Sequence, residues 1–139
     1  MKSILFPLLF ISFSAIAQCD RSFNPSASIE YTSSPGMIIQ AGITGQESMF
    51  SFHIGLKTTA NKQLLKHSEK NFIITPRIEA AIRVTETEKF ALHAFGGISR
   101  VPDAGLLGHY IIGQGVAIKM RAGYDGRFMA GLGIFFLIL

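Results

Sequence analysis

Ten ionisable side chains fall on one phase of the chain's alternating segments: Glu30, His53, Lys57, Arg77, Glu79, Arg83, His93, Lys119, Arg121 and Arg127. If that phase turns inward, cations outnumber acids there. Such an interior would either attract anions or form an ion-pair network that fills a narrow lumen. The network is the expected outcome, because barrels of about eight strands are packed by their own side chains. Its members are Glu30, His53, Lys57, Arg77, Glu79, Arg83, Lys119 and Arg121. A hydrolytic reading uses fewer residues. Ser51 and His53 stand two apart, so on a strand they point the same way, and Glu79 falls on the following strand. No nucleophile-elbow motif accompanies them, and no enzymatic activity is expected. The histidines His53, His67, His93 and His109 show no metal-binding spacing, so neither a metal nor a cofactor is expected. Gly113-Gln114-Gly115 and Gly131-Leu132-Gly133 open no helix. They read as strand glycines that allow bends or close packing, not as nucleotide loops.

Strands are needed to align these side chains. The longest alternation runs from Phe72 to Val84. Phe72, Ile74, Pro76, Ile78, Ala80, Ile82 and Val84 form one face, and Ile73, Thr75, Arg77, Glu79, Ala81 and Arg83 the other. At roughly 3.3 Å per residue this segment could cross a bilayer even when tilted. The same pattern predicts strands over Ser26–Ser33, Met37–Thr44, Ser48–Lys57, Lys89–Ser99, His109–Gly123 and Phe128–Leu139. Thr58–Asn71 and Arg100–Gly108 read as loops. Tight turns are expected at Ser33–Gly36, at Gly45-Gln46, near Thr85–Glu88 and at Tyr124–Arg127, the last carrying an Asp-Gly hairpin signal. Pro76 removes a ladder hydrogen bond and is expected at a bulge. No helix of any length is predicted after the first residues.

The count is seven strands, whereas single-chain bacterial membrane barrels have an even number. Residues Gln18–Asn24 could supply an eighth. The fold expected is an antiparallel up-and-down β-barrel of about eight strands, seven of them identified. Alternation fits both a soluble barrel with an apolar core and a membrane barrel with an apolar outside. Three features favour the membrane. Tight turns near Gly45, Glu86 and Asp125 alternate with the two longer loops. Phe50, Phe90 and Phe128 follow the short turns, while Phe72 and Tyr110 follow the loops, giving two aromatic girdles on the apolar phase. The third is the ending, GLGIFFLIL.

That ending resembles the last strand of bacterial outer-membrane barrels, although Leu139 stands where an aromatic residue is usual. The resemblance is to small outer-membrane β-barrel proteins as a class, and the start of the mature chain looks like exported proteins of the Bacteroidetes type. It implies a barrel in contact with outer-membrane lipid, with a structural, adhesive or surface-binding role exercised through loops 58–71 and 100–108. The alternatives are a soluble secreted or periplasmic barrel that binds an apolar ligand within, and a lipid hydrolase of the outer membrane. The net charge is +4 with no long run of like charge, so no nucleic-acid partner is expected.

Export is written at the start. Lys2, the apolar run Ile4–Ile16 and Ala15-Ile16-Ala17 fit a secretory signal peptide over residues 1–17, leaving 18–139 as one barrel domain. Cys19 is the single cysteine, so no internal disulfide can form, and Gln18 stands where a lipoprotein signal wants a small residue. Cleavage between Ala17 and Gln18 is therefore predicted. The intact mass of the exported protein tests this, and an acylated Cys19 at the amino terminus would refute it.

Overall fold

The computed structural model of the chain describes residues 23–33, 36–45, 49–59 and 73–138. The expected signal peptide, Cys19, Phe72 and most of the 58–71 loop lie outside these residues. Eight strands form a closed barrel in which each pairs antiparallel with its chain neighbour and β1 pairs with β8. They are β1 (Phe23–Thr32), β2 (Gly36–Gly45), β3 (Phe50–Thr59), β4 (Ile73–Glu86), β5 (Phe90–Ile98), β6 (Pro102–Gly113), β7 (Val116–Tyr124) and β8 (Phe128–Leu137). None of the described residues is helical. Closure along the seam from Ser26↔Leu137 to Thr32↔Gly131 leaves no unpaired edge.

The eighth strand is β6, not a segment before Phe23. The expected loop at Arg100–Gly108 is strand from Pro102 onward, and the expected single strand over His109–Gly123 is two strands joined by a hairpin. The glycines concealed both. Pro102, Gly105 and Gly108 give the start of β6 the composition of a loop, while Gly113-Gln114-Gly115 lies inside an otherwise continuous alternation. Gly115 has φ of +70°, a left-handed conformation that glycine adopts without strain, and it turns the chain between Gly113 and Val116.

The loop pattern also differs. The connections 46–49, 87–89 and 114–115 lie at one end with the start of β1 and the finish of β8; this is the turn end. The connections 33–35, 60–72, 99–101 and 125–127 lie at the other, the loop end, so the Asp125-Gly126 hairpin shares an end with the long connection. Among these connections 60–72 is the long one, and 100–108 offers no long external loop. The aromatic girdles are accordingly redistributed. Tyr110 pairs with Phe90 at the turn end, where Phe50 also begins its strand. Phe128 pairs with Tyr124 at the loop end.

Pro76 sits in regular register opposite Leu56, and no bulge occurs there. The β4–β5 pairing begins at Ile78, so Pro76 lies where β4 extends past its neighbour and a missing N–H costs the ladder nothing. The bulge in β4 lies at Val84, where the register jumps from Arg83↔His93 to Thr85↔Leu92.

Gly133 lies between Glu30 on β1 and Lys119 on β7. A Cβ at this position would stand 2.2 Å from the Ile29 carbonyl oxygen and 2.5 Å from Glu30 Cα, both backbone atoms that cannot swing aside. Gly133→Ala should therefore lower the unfolding midpoint in denaturant markedly. Gly96→Ala, where nothing lies within 4 Å, should leave it nearly unchanged.

Candidate functional site

The inward phase of β1 to β7 carries the polar residues, while β8 turns Met129, Gly131, Gly133 and Phe135 inward. Ser26, Ser28, Glu30, Gln40, His53, Lys57, Arg77, Glu79, His93, Lys119 and Arg121 are all buried within the lumen. The outward phase is apolar, with Ile78, Ile82, Leu132 and Phe128 exposed.

Glu79 is the hub. Its Oε2 accepts from Arg77 Nη2 at 2.7 Å and lies 2.7 Å from Arg121 Nη2. Its Oε1 accepts from Gln40 Nε2 at 2.9 Å, with Lys119 Nζ at 3.7 Å. Glu30 forms a second centre, paired with the Arg121 guanidinium and with Lys119 Nζ at 3.1 Å. Lys119 also donates to Ser28 Oγ at 3.2 Å. Arg77 reaches across β5 to Asp103 Oδ2 at 2.6 Å. The Arg121 guanidinium lies 4.3 Å from the centre of the Phe95 ring. Phe95 belongs to a buried apolar cluster with Ala81, Leu107 and Met129.

The expected excess of positive charge in the lumen is not present. Asp103, on β6 rather than in a loop, balances Arg77. Asp125 accepts from Lys57 at 3.0 Å, and Glu86 pairs with Arg83. Lys57, Arg77, Arg83, Lys119 and Arg121 are thus matched by Glu30, Glu79, Glu86, Asp103 and Asp125. Arg83 and Glu86 are three apart, and in a regular strand they would face opposite ways. The extra residue at Val84 resets the alternation, so both face the lumen mouth. Arg127 sits in the β7–β8 turn, exposed and outside this set.

Ser51, His53 and Glu79 are all buried in the lumen, and His53 pairs across the ladder with Glu79. The hydrogen bonds of His53 and Glu79 run elsewhere. His53 Nε2 lies 2.9 Å from Ser26 Oγ and 3.4 Å from Thr44 Oγ1, and Glu79 is held by Gln40 and three cations. At the turn end the network gives way to a cavity of about 260 Å³, lined by Thr44, His93, His109, Ala117 and Phe135, with Arg83 and Glu86 at its wall. The imidazoles of His93 and His109 are 4.9 Å apart, and His109 stacks on Phe135 at 4.6 Å. Among the described residues no three His, Cys, Asp or Glu side chains converge as a metal-ligand set.

No protein-family model matches the chain, and no curated protein matches it. Solved structures do resemble it in fold. One comes from work on the de novo design of transmembrane beta-barrels; it superposes with a TM-score of 0.57 at 11% identity, covering 84% of this chain and 94% of that one. Another is the solution NMR structure of the de novo designed TMB2.3, with a TM-score of 0.55 at 16% identity, covering 85% of this chain and 94% of that one.

Removing one partner from a buried pair leaves an uncompensated charge, a loss of about 3–5 kcal/mol. Glu79→Gln should destabilise by that order, because Arg77, Lys119 and Arg121 all lose a carboxylate. Arg83→Gln at the mouth, where Glu86 is half-exposed, should cost under about 1 kcal/mol. Equilibrium unfolding of both variants in detergent micelles measures the difference, and equal losses would contradict the hub role of Glu79.

Proposed function

We propose that this chain is a membrane-spanning barrel of a bacterial outer membrane, acting through its structure and its surface rather than as an enzyme. One observation carries the reading: the polarity of the barrel is inside out for water. A soluble barrel that held an apolar ligand would need an apolar interior, but here the centre of the interior is a paired charge network and the apolar phase faces outward. An uninterrupted apolar surface of this kind is tolerated where lipid covers it. Strand lengths of 9 to 14 residues match the span of a tilted transmembrane strand, which takes about 9–11. The aromatic residues at the two ends of the outward phase suit the two interfaces of a bilayer.

The centre of the lumen is occupied by Arg77, Glu79, Lys119 and Arg121, so the barrel is a plugged scaffold rather than a wide channel. What it presents to its surroundings is its loop end. The connection 60–72 carries Lys62, Lys66, His67, Glu69 and Lys70, a polar basic segment suited to surface contact or adhesion. Ser26 rather than Ser51 meets His53, and Glu79 serves as an ion-pair hub, which supports a structural use of these residues over a hydrolytic one.

The decisive measurement is the direction of the apolar face. Labels at Ile78 and Ile82 should be quenched by probes on lipid tails in reconstituted vesicles, and a label at Thr44, which lines the mouth cavity, should not. Ile78→Arg should cost on the order of 2–4 kcal/mol if that position lies near mid-membrane. Shielding of Ile78 from the lipid-borne quencher would overturn the membrane reading.

A further inference from the structure

We propose that His93 and His109 form a binding site for a divalent transition-metal ion of the zinc, copper or nickel class at the turn-end mouth of the lumen. The two residues sit on adjoining strands, β5 and β6. The register His93↔Leu107 and Ala91↔His109 makes them diagonal neighbours on the inward face. Each is more than nine-tenths buried, and both line the 260 Å³ cavity.

Their spacing suits a shared ion. A zinc–imidazole bond is about 2.0–2.1 Å, and the ring centre lies about 1 Å beyond the nitrogen, so two rings at a tetrahedral angle on one ion have centres about 5 Å apart. The observed separation is 4.9 Å, with the ring planes inclined at 66°. A neutral imidazole keeps one nitrogen lone pair for an acceptor role or a metal. Among the described residues neither ring gives it to a protein donor: His93 Nδ1 and His109 Nε2 are both buried without a hydrogen-bond partner. Stacking on Phe135 holds the His109 ring in place. The cavity has room for several waters, each taking roughly 30 Å³ of liquid volume, to complete the coordination. Glu86 in the same wall is paired with Arg83, so the two imidazoles are the ligands on offer and the wall adds no net charge. Two imidazoles are a partial ligand set, and the metals that favour imidazole nitrogen are zinc, copper and nickel.

This site is independent of what surrounds the barrel, so it stands or falls separately from the membrane reading. The test uses the tag-free full chain in detergent micelles, stripped with chelator and then titrated with Cu²⁺, Zn²⁺ or Ni²⁺ alone. One ion per chain is expected, with two imidazole nitrogens coupled to Cu²⁺ in its electron paramagnetic resonance spectrum. His93→Gln and His109→Gln should each weaken binding at least tenfold, while His53→Gln should not. If either variant fails to fold, the nitrogen count in the unaltered chain decides. Fewer than two coupled nitrogens, undiminished binding in the folded double variant, or no ion bound to the folded chain would each overturn the proposal.

Discussion

Charges buried inside a narrow barrel must find partners there, and this constraint governs the rest of the structure. Desolvating an ion costs several kcal/mol even after relaxation, and only close, well-directed partners offset it. Glu79 meets the condition by holding Arg77 and Arg121 on one oxygen, with Gln40 and Lys119 at the other. Those partners come from β2, β4 and β7. Strands far apart in sequence are therefore tied through the lumen as well as around the wall. Glu30 extends the same ties to β1, whose ion pairs with Lys119 and Arg121 reach past β8 to β7.

Side chains on β1 and β7 can meet only if the strand between them stays low. β8 supplies Gly131 opposite Arg121 and Gly133 opposite Lys119, so the long cations pass over bare backbone. The same device operates on β5. Gly97 pairs with both Glu79 and Asp103, and the Arg77–Asp103 bond crosses above it. A residue with a side chain at either place would hold the two flanking strands' charges apart. The small residues are thus part of the electrostatic design.

Much of this was legible in the sequence, and the failures have physical causes. The alternation from Phe72 to Val84 fixes which side chains of β4 turn inward, because parity on a strand depends only on spacing; Arg77 and Glu79 follow directly. Glu86 could not be read that way, since the bulge at Val84 shifts parity and leaves no strong local signal. Asp103 was hidden for a different reason. β6 opens with a proline and carries three glycines, which by propensity read as loop, and its strand character comes from pairing with β5 and β7 on both sides. The Gly113-Gln114-Gly115 turn was readable in principle, as two glycines flanking one polar residue between apolar runs. The odd strand count was the available clue that a turn had been passed over. The pairing of His93 with His109 was not readable, because it depends on the β5–β6 register.

The same charges that need partners also define the register. A slip of one residue between neighbouring strands exchanges the two faces of the slipped strand. In β4 such a slip would turn Arg77 and Glu79 outward and bring Ile78 into the lumen. The error would break the hub and leave Lys119 and Arg121 to share Glu30 alone, so it is penalised twice. An apolar interior would resist slippage less, since one aliphatic side chain replaces another with modest loss. The network therefore contributes specificity more than net stability. Its last members to be satisfied are those that span the β1–β8 seam, because Glu30 meets Lys119 and Arg121 only once the first and last strands are joined. Until that seam closes, two cations on β7 and one acid on β1 lack their full set of partners. Closure of the barrel and completion of its charge balance are consequently coupled, because with the seam open Glu30 is parted from both of its cations.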